Sequence, residues 1–349
     1  MPRMSLRGWL TTITTILLVV VIYFAWPEIT KAWNLLGQVN LWILALLIPV
    51  QVFSYYATGG MIFSYLRAKG ELKEMSHWGM TRLAFELNFV NHILPSGGVA
   101  GFSYLSWVLS RFGVSVGRST MAQLIRFTLT FLSFVLLLMV AVAWLILDHQ
   151  IDRTIILLCS GLVVLAVGAT IFTVYVISSR PRLEKFSAWL TKKVNQVVGK
   201  LTRGKRRNVL KATILEKFFG DLHDDYLAIR RDKRSLVKPF IWATVANIAD
   251  VALIWIAFWS LGYAVSPAML FVAFGLASIA SAVSVTPGGA GVYEAIMIAF
   301  LATGGVPAEA AIAGTLLARV TLVVGTILFG YLFYQLTVNK YGKRPPLRQ

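Results

Sequence analysis

Ser284-Val285-Thr286-Pro287-Gly288-Gly289-Ala290-Gly291-Val292-Tyr293-Glu294 lies between two apolar segments, each too short and too broken to be an ordinary membrane span. Proline removes a backbone donor, and glycine admits tight or left-handed turns, so this run is expected to be non-helical. Non-helical backbone survives at membrane depth only where protein buries it or where it lines a wet cavity. The helix expected after it directs unpaired N–H groups into the break, an anion-binding geometry, and Glu294 falls in its first turn.

The stretch has a counterpart. Leu94-Pro95-Ser96-Gly97-Gly98-Val99-Ala100-Gly101 interrupts an apolar region in the first half, and Pro95 and Pro287 are 192 positions apart. One arginine follows each break inside a later apolar helix: Arg126, 31 positions beyond Pro95, and Arg319, 32 beyond Pro287. A pattern that recurs with this spacing is an internal repeat.

Working outward, 57% of the 349 residues are hydrophobic and 14% charged, and several apolar runs exceed about 18 residues, the length of a spanning helix. The lone Cys159 supplies neither a disulfide framework nor a metal quartet. In a soluble protein a net charge of +18 would suggest nucleic acid, but here Arg180 to Lys238 holds +11 of it, with 17 Lys or Arg against 6 Asp or Glu. Leu183, Phe186, Leu190, Val194 and Val197 recur there at helical spacing, as do Leu210, Ile214, Phe218, Leu222 and Tyr226. Two readings fit: amphipathic helices on anionic headgroups, or a solvated subdomain packed on itself.

Basic loops mark the inner side of a membrane. Leu10 to Trp26, preceded by Arg3 and Arg7, reads as a retained span with the N-terminus inside. Leu41 to Leu66 ends at Arg67, Lys69, Lys73 and Arg82, and the far end of the first break carries Arg111 and Arg118. Val116 to Leu147, Thr154 to Ile177, Pro239 to Leu261 and Ala310 to Leu336 complete the spans. Thr303 to Glu309, after the second break, has no Lys or Arg, while Lys340, Lys343, Arg344 and Arg348 put the C-terminus inside. The expected fold is an all-α polytopic membrane protein with about six full spans and two re-entrant broken helical hairpins, one entered from each side. Repeat one covers about 41–147, repeat two about 239–336, and 180–238 is a basic cytoplasmic loop. Inverted repeats of this kind build substrate sites near the midplane.

The chain resembles the lysylphosphatidylglycerol synthase transmembrane region, also called the flippase-like domain family. The resemblance rests on Asn91-His92-Ile93-Leu94-Pro95-Ser96-Gly97-Gly98, on Thr286-Pro287-Gly288-Gly289-Ala290-Gly291-Val292-Tyr293-Glu294 and on Arg319, and covers about residues 10 to 337. It implies a membrane region that, in the full-length synthases, moves aminoacylated phosphatidylglycerol between leaflets while a soluble C-terminal domain carries out the aminoacyl transfer. With the chain ending at Gln349, the expectation is the flippase-like part without the enzyme, in a bacterial inner membrane.

The candidate substrate-binding residues are Arg126, Arg319, Glu294, Asn91, Pro95, Ser96, Gly97, Gly98, Thr286, Pro287, Gly288, Gly289 and Gly291. Intramembrane arginines cost about 2.5–3.5 kcal/mol on insertion scales and face a cavity or a partner. A guanidinium fork suits a lipid phosphate. Each arginine also suits structural pairing, with Glu294, Glu86 or a carbonyl left open by a break as partner. Asn88, Asn91 and His92 could bind a headgroup or satisfy the free backbone of the break, and Gly59 and Gly60 suit close helix packing. Gly199-Lys200-Leu201-Thr202-Arg203-Gly204-Lys205-Arg206 ends in Arg where a Walker A loop needs Ser or Thr. No HExxH or Cys-x-x-Cys occurs, so no metal, cofactor or catalytic residue is expected. Three functions stay open: a flippase for an anionic or headgroup-modified (glyco)phospholipid, a transporter of a small soluble anion, and a non-transporting partner of an envelope-lipid enzyme.

Overall fold

The computed structural model describes residues 39–93, 99–147, 178–201, 230–283 and 289–341, with scattered positions elsewhere. All regular structure among them is helical. The expected spans at Leu10 to Trp26 and Thr154 to Ile177 lie wholly or mostly outside the described residues. So do the turn residues Leu94 to Gly98 and Ser284 to Gly288, which include Pro95, Ser96, Gly97, Gly98, Thr286, Pro287 and Gly288.

The chain forms two compact units, Met1–Val163 with Lys238–Gln349, and Val164–Val237. The first begins with α1 (Leu41–Ala45), capped by the Asn40 side chain, which accepts from the N–H groups of Trp42 and Ile43 at 3.1 and 3.3 Å. It continues with α2 (Leu47–Ala68), α3 (His77–Ile93), α4 (Val99–Ser110) and α5 (Val116–Leu147). The second unit contains α6 (Arg180–Leu201). Then come α7 (Val237–Ser260), α8 (Pro267–Val283), α9 (Val292–Thr303) and α10 (Ala308–Tyr341). Four helical segments, Leu41–Ala68, Val116–Leu147, Lys233–Ser260 and Ala308–Tyr341, are long and apolar enough to cross a membrane. Their outer faces carry large apolar side chains. Leu328, Leu332 and Leu336, at four-residue spacing on α10, are 63%, 54% and 47% exposed, as suits contact with acyl chains rather than water.

The order long helix, two short limbs, long helix occurs twice. The limbs are 17 and 12 residues in the first half and again 17 and 12 in the second. Each pair of limbs folds back on itself. Gly101 N–H donates to Asn91 Oδ1 (3.1 Å) and Tyr104 O–H to Glu86 Oε2 (2.7 Å), a pairing that only an antiparallel return gives. In the second half Gly289 lies against Ser281 and Gly304 against Met269, with the same sense. At 1.5 Å per residue the limbs rise about 25 and 18 Å, both short of a ~30 Å hydrocarbon core.

The halves interlock. Long helix α10 packs on limb α3 of the other half, and α5 packs on limb α8. Glycine makes both approaches possible. A Cβ at Gly330 would meet the Phe85 carbonyl oxygen at 2.9 Å and the Phe89 side chain, and one at Gly275 would strike the Phe134 ring. Gly59 and Gly60 behave as their spacing suggested, facing the Met80 carbonyl oxygen and the Trp242 ring, each 2.9 Å from an added Cβ.

In the second unit, α6 carries apolar and basic side chains of differing exposure. On α6, Leu183 is buried while Lys185, Lys192 and Lys193 are exposed, and Phe186 makes ring contacts with Phe172 and Trp189. The expected set from Leu210 to Tyr226 lies mostly outside the described residues.

Candidate functional site

A cavity of about 400 Å³ sits where the two halves meet, lined by residues of α2, α3, α5 and α7 to α10. Each helix gives it one face. From α2 come Gln51, Ser54, Tyr55 and Thr58, at three- and four-residue spacing. From α7 come Asn247 and Asp250, and from α10 Thr315, Arg319 and Thr326. Limb α3 adds Asn88 and His92, and α5 adds Arg126 and Thr130. The two arginines singled out by the repeat therefore open into one chamber.

Their surroundings differ. Arg319 Nε lies 3.1 Å from Glu294 Oε1, and its guanidinium stacks over the Tyr293 ring at 4.6 Å. Glu294 is 5% exposed and its other oxygen accepts from Gly291 N–H at 2.6 Å. One carboxylate thus caps α9 and neutralises Arg319. The Nε–Oε1 contact has ion-pair distance without hydrogen-bond alignment, since Oε1 accepts no aligned donor. Arg126 is 8% exposed, and its Nε has no hydrogen-bond partner among the described residues. Its guanidinium lies 4.6 Å from the Phe127 ring centre, and no carboxylate comes within ion-pair distance among the described residues. Glu86, a candidate partner on sequence grounds, is committed elsewhere. It accepts from Arg82 Nε (3.0 Å), Tyr104 O–H (2.7 Å) and Thr337 O–H (2.7 Å), because one helical turn brings Arg82 beside it.

The helix starts after the breaks are also less open than the sequence suggests. Asn91 Oδ1 takes the Gly101 N–H, and Glu294 takes the Gly291 N–H. The chain supplies its own acceptor at each start. Gly289 and Gly291 have φ of 72° and 84°, which an L side chain rarely adopts, and this fixes the turn into α9. Gly101 needs no side chain because the Asn91 amide occupies that space.

Several site residues were not foreseen. Asp250 accepts from Ser54 O–H at 2.6 Å. Gln51 Nε2 donates to the Leu322 carbonyl oxygen at 2.9 Å and to Thr326 Oγ1 at 3.2 Å, and Tyr55 and Thr326 share a hydrogen bond of 2.5 Å. Asn247 Nδ2 donates to the Thr130 carbonyl oxygen at 2.9 Å and to Ser133 Oγ at 3.2 Å. These bonds tie α2 to α7 and α10, and α7 to α5, around the chamber. The signal was legible: Gln51, Ser54, Tyr55 and Thr58 form one polar stripe in an apolar span, and Asp250 is an acid in mid-span. His92 Nδ1 lies 2.9 Å from the Asn88 carbonyl oxygen, which can only accept, so Nδ1 carries the proton. No group of three or more metal-ligating side chains occurs among the described residues.

Residues 12–330 match the family described as the lysylphosphatidylglycerol synthase TM region, and the chain belongs to it. A UPF0104 membrane protein of Methanothermobacter thermautotrophicus is 24% identical over 235 residues, covering 66% of this chain and 67% of that one. No solved structure matches.

Proposed function

We propose that this member of the lysylphosphatidylglycerol synthase TM region family moves an anionic or headgroup-modified (glyco)phospholipid between leaflets, with the headgroup held in the chamber between the two broken hairpins. The observation that carries the reading is the convergence of Arg126 and Arg319 on one cavity of about 400 Å³, with Arg126 buried there and given no counter-ion among the described residues. A guanidinium inside a bilayer is costly unless something pairs with it, and a phosphodiester is the anion a lipid brings. A cavity of this size accommodates a headgroup and leaves the acyl chains outside.

The family's name supplies the lipid context, and the matched region is its membrane part. The rest of the reading follows from loop charge. Repeat one (about 41–147) and repeat two (about 239–336) are inverted, with hairpin α3–α4 entering from the cytoplasm and α8–α9 from outside. On that charge both termini and the basic 180–238 loop are cytoplasmic, and the family resemblance supports a bacterial inner membrane as the setting. The chain acts as a carrier rather than an enzyme and needs no cofactor. An envelope-lipid enzyme would supply or consume the lipid.

The test is translocation of fluorescent phosphatidylglycerol in proteoliposomes. Wild type moves the probe, and Arg126→Ala and Arg319→Ala, still folded, do not. Unchanged translocation in both variants refutes the assignment.

A further inference from the structure

Among the described residues, three helical carboxylates of the first unit are not exposed, and two of them are paired with arginine: Glu86 with Arg82 at 3.0 Å and Glu294 with Arg319 at 3.1 Å. Asp250 is different. It lines the same cavity as both site arginines, accepts one hydrogen bond, 2.6 Å from Ser54, and has no cationic partner within ion-pair distance among the described residues. The groups that share the chamber with it are Tyr55 of α2, His92 of α3, Arg126 of α5, Tyr293 of α9 and Arg319 of α10, and α8 contributes no titratable side chain. An unpaired carboxylate in a membrane chamber is costly when ionised and cheap when protonated.

We infer that Asp250 is a proton-binding site coupled to the transported anion, so that one proton and one lipid phosphate occupy the chamber together. This deepens the lipid reading above and rests on it. Formal charge gives the sense of the coupling. With Asp250 ionised and His92 neutral, Arg126, the Arg319–Glu294 pair and Asp250 sum to zero. A proton on the free Asp250 oxygen forms an O–H bond, leaves Ser54 donating to the other oxygen, and raises the sum to +1. One phosphodiester then balances it. Protonation therefore tightens anion binding, and by reciprocity the bound anion tightens proton binding. Lipid and proton travel in the same direction, and the loaded chamber is neutral, so the transmembrane potential does no work on it.

Two measurements on the full-length protein decide this. Infrared pH-difference spectra without added lipid should show a carboxyl C=O band that titrates, disappears in Asp250→Asn and persists in Glu86→Gln. Ser54→Ala should keep the band and move its midpoint to higher pH, because the ionised form loses its donor. Absence of a titrating band assignable to Asp250 overturns the inference whether or not lipid moves. In proteoliposomes with fluorescent phosphatidylglycerol and about two pH units across the membrane, one proton per lipid drives the probe toward the alkaline leaflet, up to about 100-fold. An imposed potassium-diffusion potential should leave the distribution unchanged, and the distribution in Asp250→Asn should not respond to the pH gradient, whatever its rate of flipping. A probe that follows the potential, accumulates on the acid side or ignores pH in wild type overturns the coupling while leaving the lipid reading intact. No flipping under any condition defeats the lipid reading and the coupling together, and the infrared band then still reports whether Asp250 takes a proton.

Discussion

The Arg319–Glu294 pair can be taken apart one charge at a time. Glu294→Gln keeps an oxygen for the Gly291 N–H, a 2.6 Å bond in the wild type, and removes only the charge facing Arg319. Arg319→Met keeps much of the side-chain volume and leaves the carboxylate buried on α9. Removing one partner of a buried pair costs about 3–5 kcal/mol. The side chains are 18% and 7% exposed, and Arg319 borders the cavity, so the lower figure of about 3 kcal/mol applies to each single change. Two independent effects would total about 6 kcal/mol. The double variant Arg319→Met/Glu294→Gln leaves no unpaired charge, and its expected cost is about 1–2 kcal/mol, that of a weakened cap and altered packing. The assay is reversible unfolding by SDS titration in mixed micelles, with a double-mutant cycle over the four proteins. A coupling energy above about 2 kcal/mol is the expected result. Additive losses would mean that the two groups do not act as a pair and that Arg319 draws its stability from another source.

Three further outcomes follow from the same geometry. Arg126→Met removes a buried guanidinium that has no counter-ion among the described residues, so the unfolding free energy should hold or rise by up to about 2 kcal/mol while lipid translocation is lost, and a large loss of stability would contradict the unpaired assignment. Gly59→Ala and Gly330→Ala each place a methyl 2.9 Å from a backbone carbonyl oxygen of α3, at Met80 and Phe85, and should each cost about 1–3 kcal/mol in the same titration; no change would mean that these helices are not in close contact. Glu74→Cys and Thr303→Cys, made singly in a Cys159→Ser background, place exposed thiols beyond the two hairpins. An impermeant maleimide added to intact cells should label the second and spare the first, and labelling of both or neither would overturn the inverted arrangement.

Much of the helical architecture could be read from glycine and proline, because those residues act through the backbone rather than through distant neighbours. Pro95 and Pro287 place the breaks, and the described limbs end and resume beside them. Arg126 and Arg319 stand out because a charge in an apolar run has few places to go. Side-chain pairing was less legible. Glu86 was a reasonable partner for Arg126 by composition, yet Arg82 lies one helical turn away and Tyr104 and Thr337 complete its shell. The helix starts looked open to an anion, but Asn91 and Glu294 fold back onto them at distances that only the return of the chain creates. Asp250 lies away from the broken segments, because the chamber is walled as much by unbroken helices. The polar stripe of α2 and the pair Asn247 and Asp250 on α7 carried that information at helical spacing.

The central claim concerns where the headgroup goes, and photocrosslinking tests it most directly. A phosphatidylglycerol analogue with a photoreactive group on its glycerol headgroup is irradiated with the purified full-length protein, and the modified residues are identified by mass spectrometry. The account predicts adducts on the chamber walls near Arg126 and Arg319, at positions such as Thr130, Leu322 and Val323, competed by unlabelled phosphatidylglycerol and lost in Arg126→Ala. Adducts confined to the acyl-facing surface, at positions such as Leu328 and Leu332, and unaffected by Arg126→Ala, would contradict it.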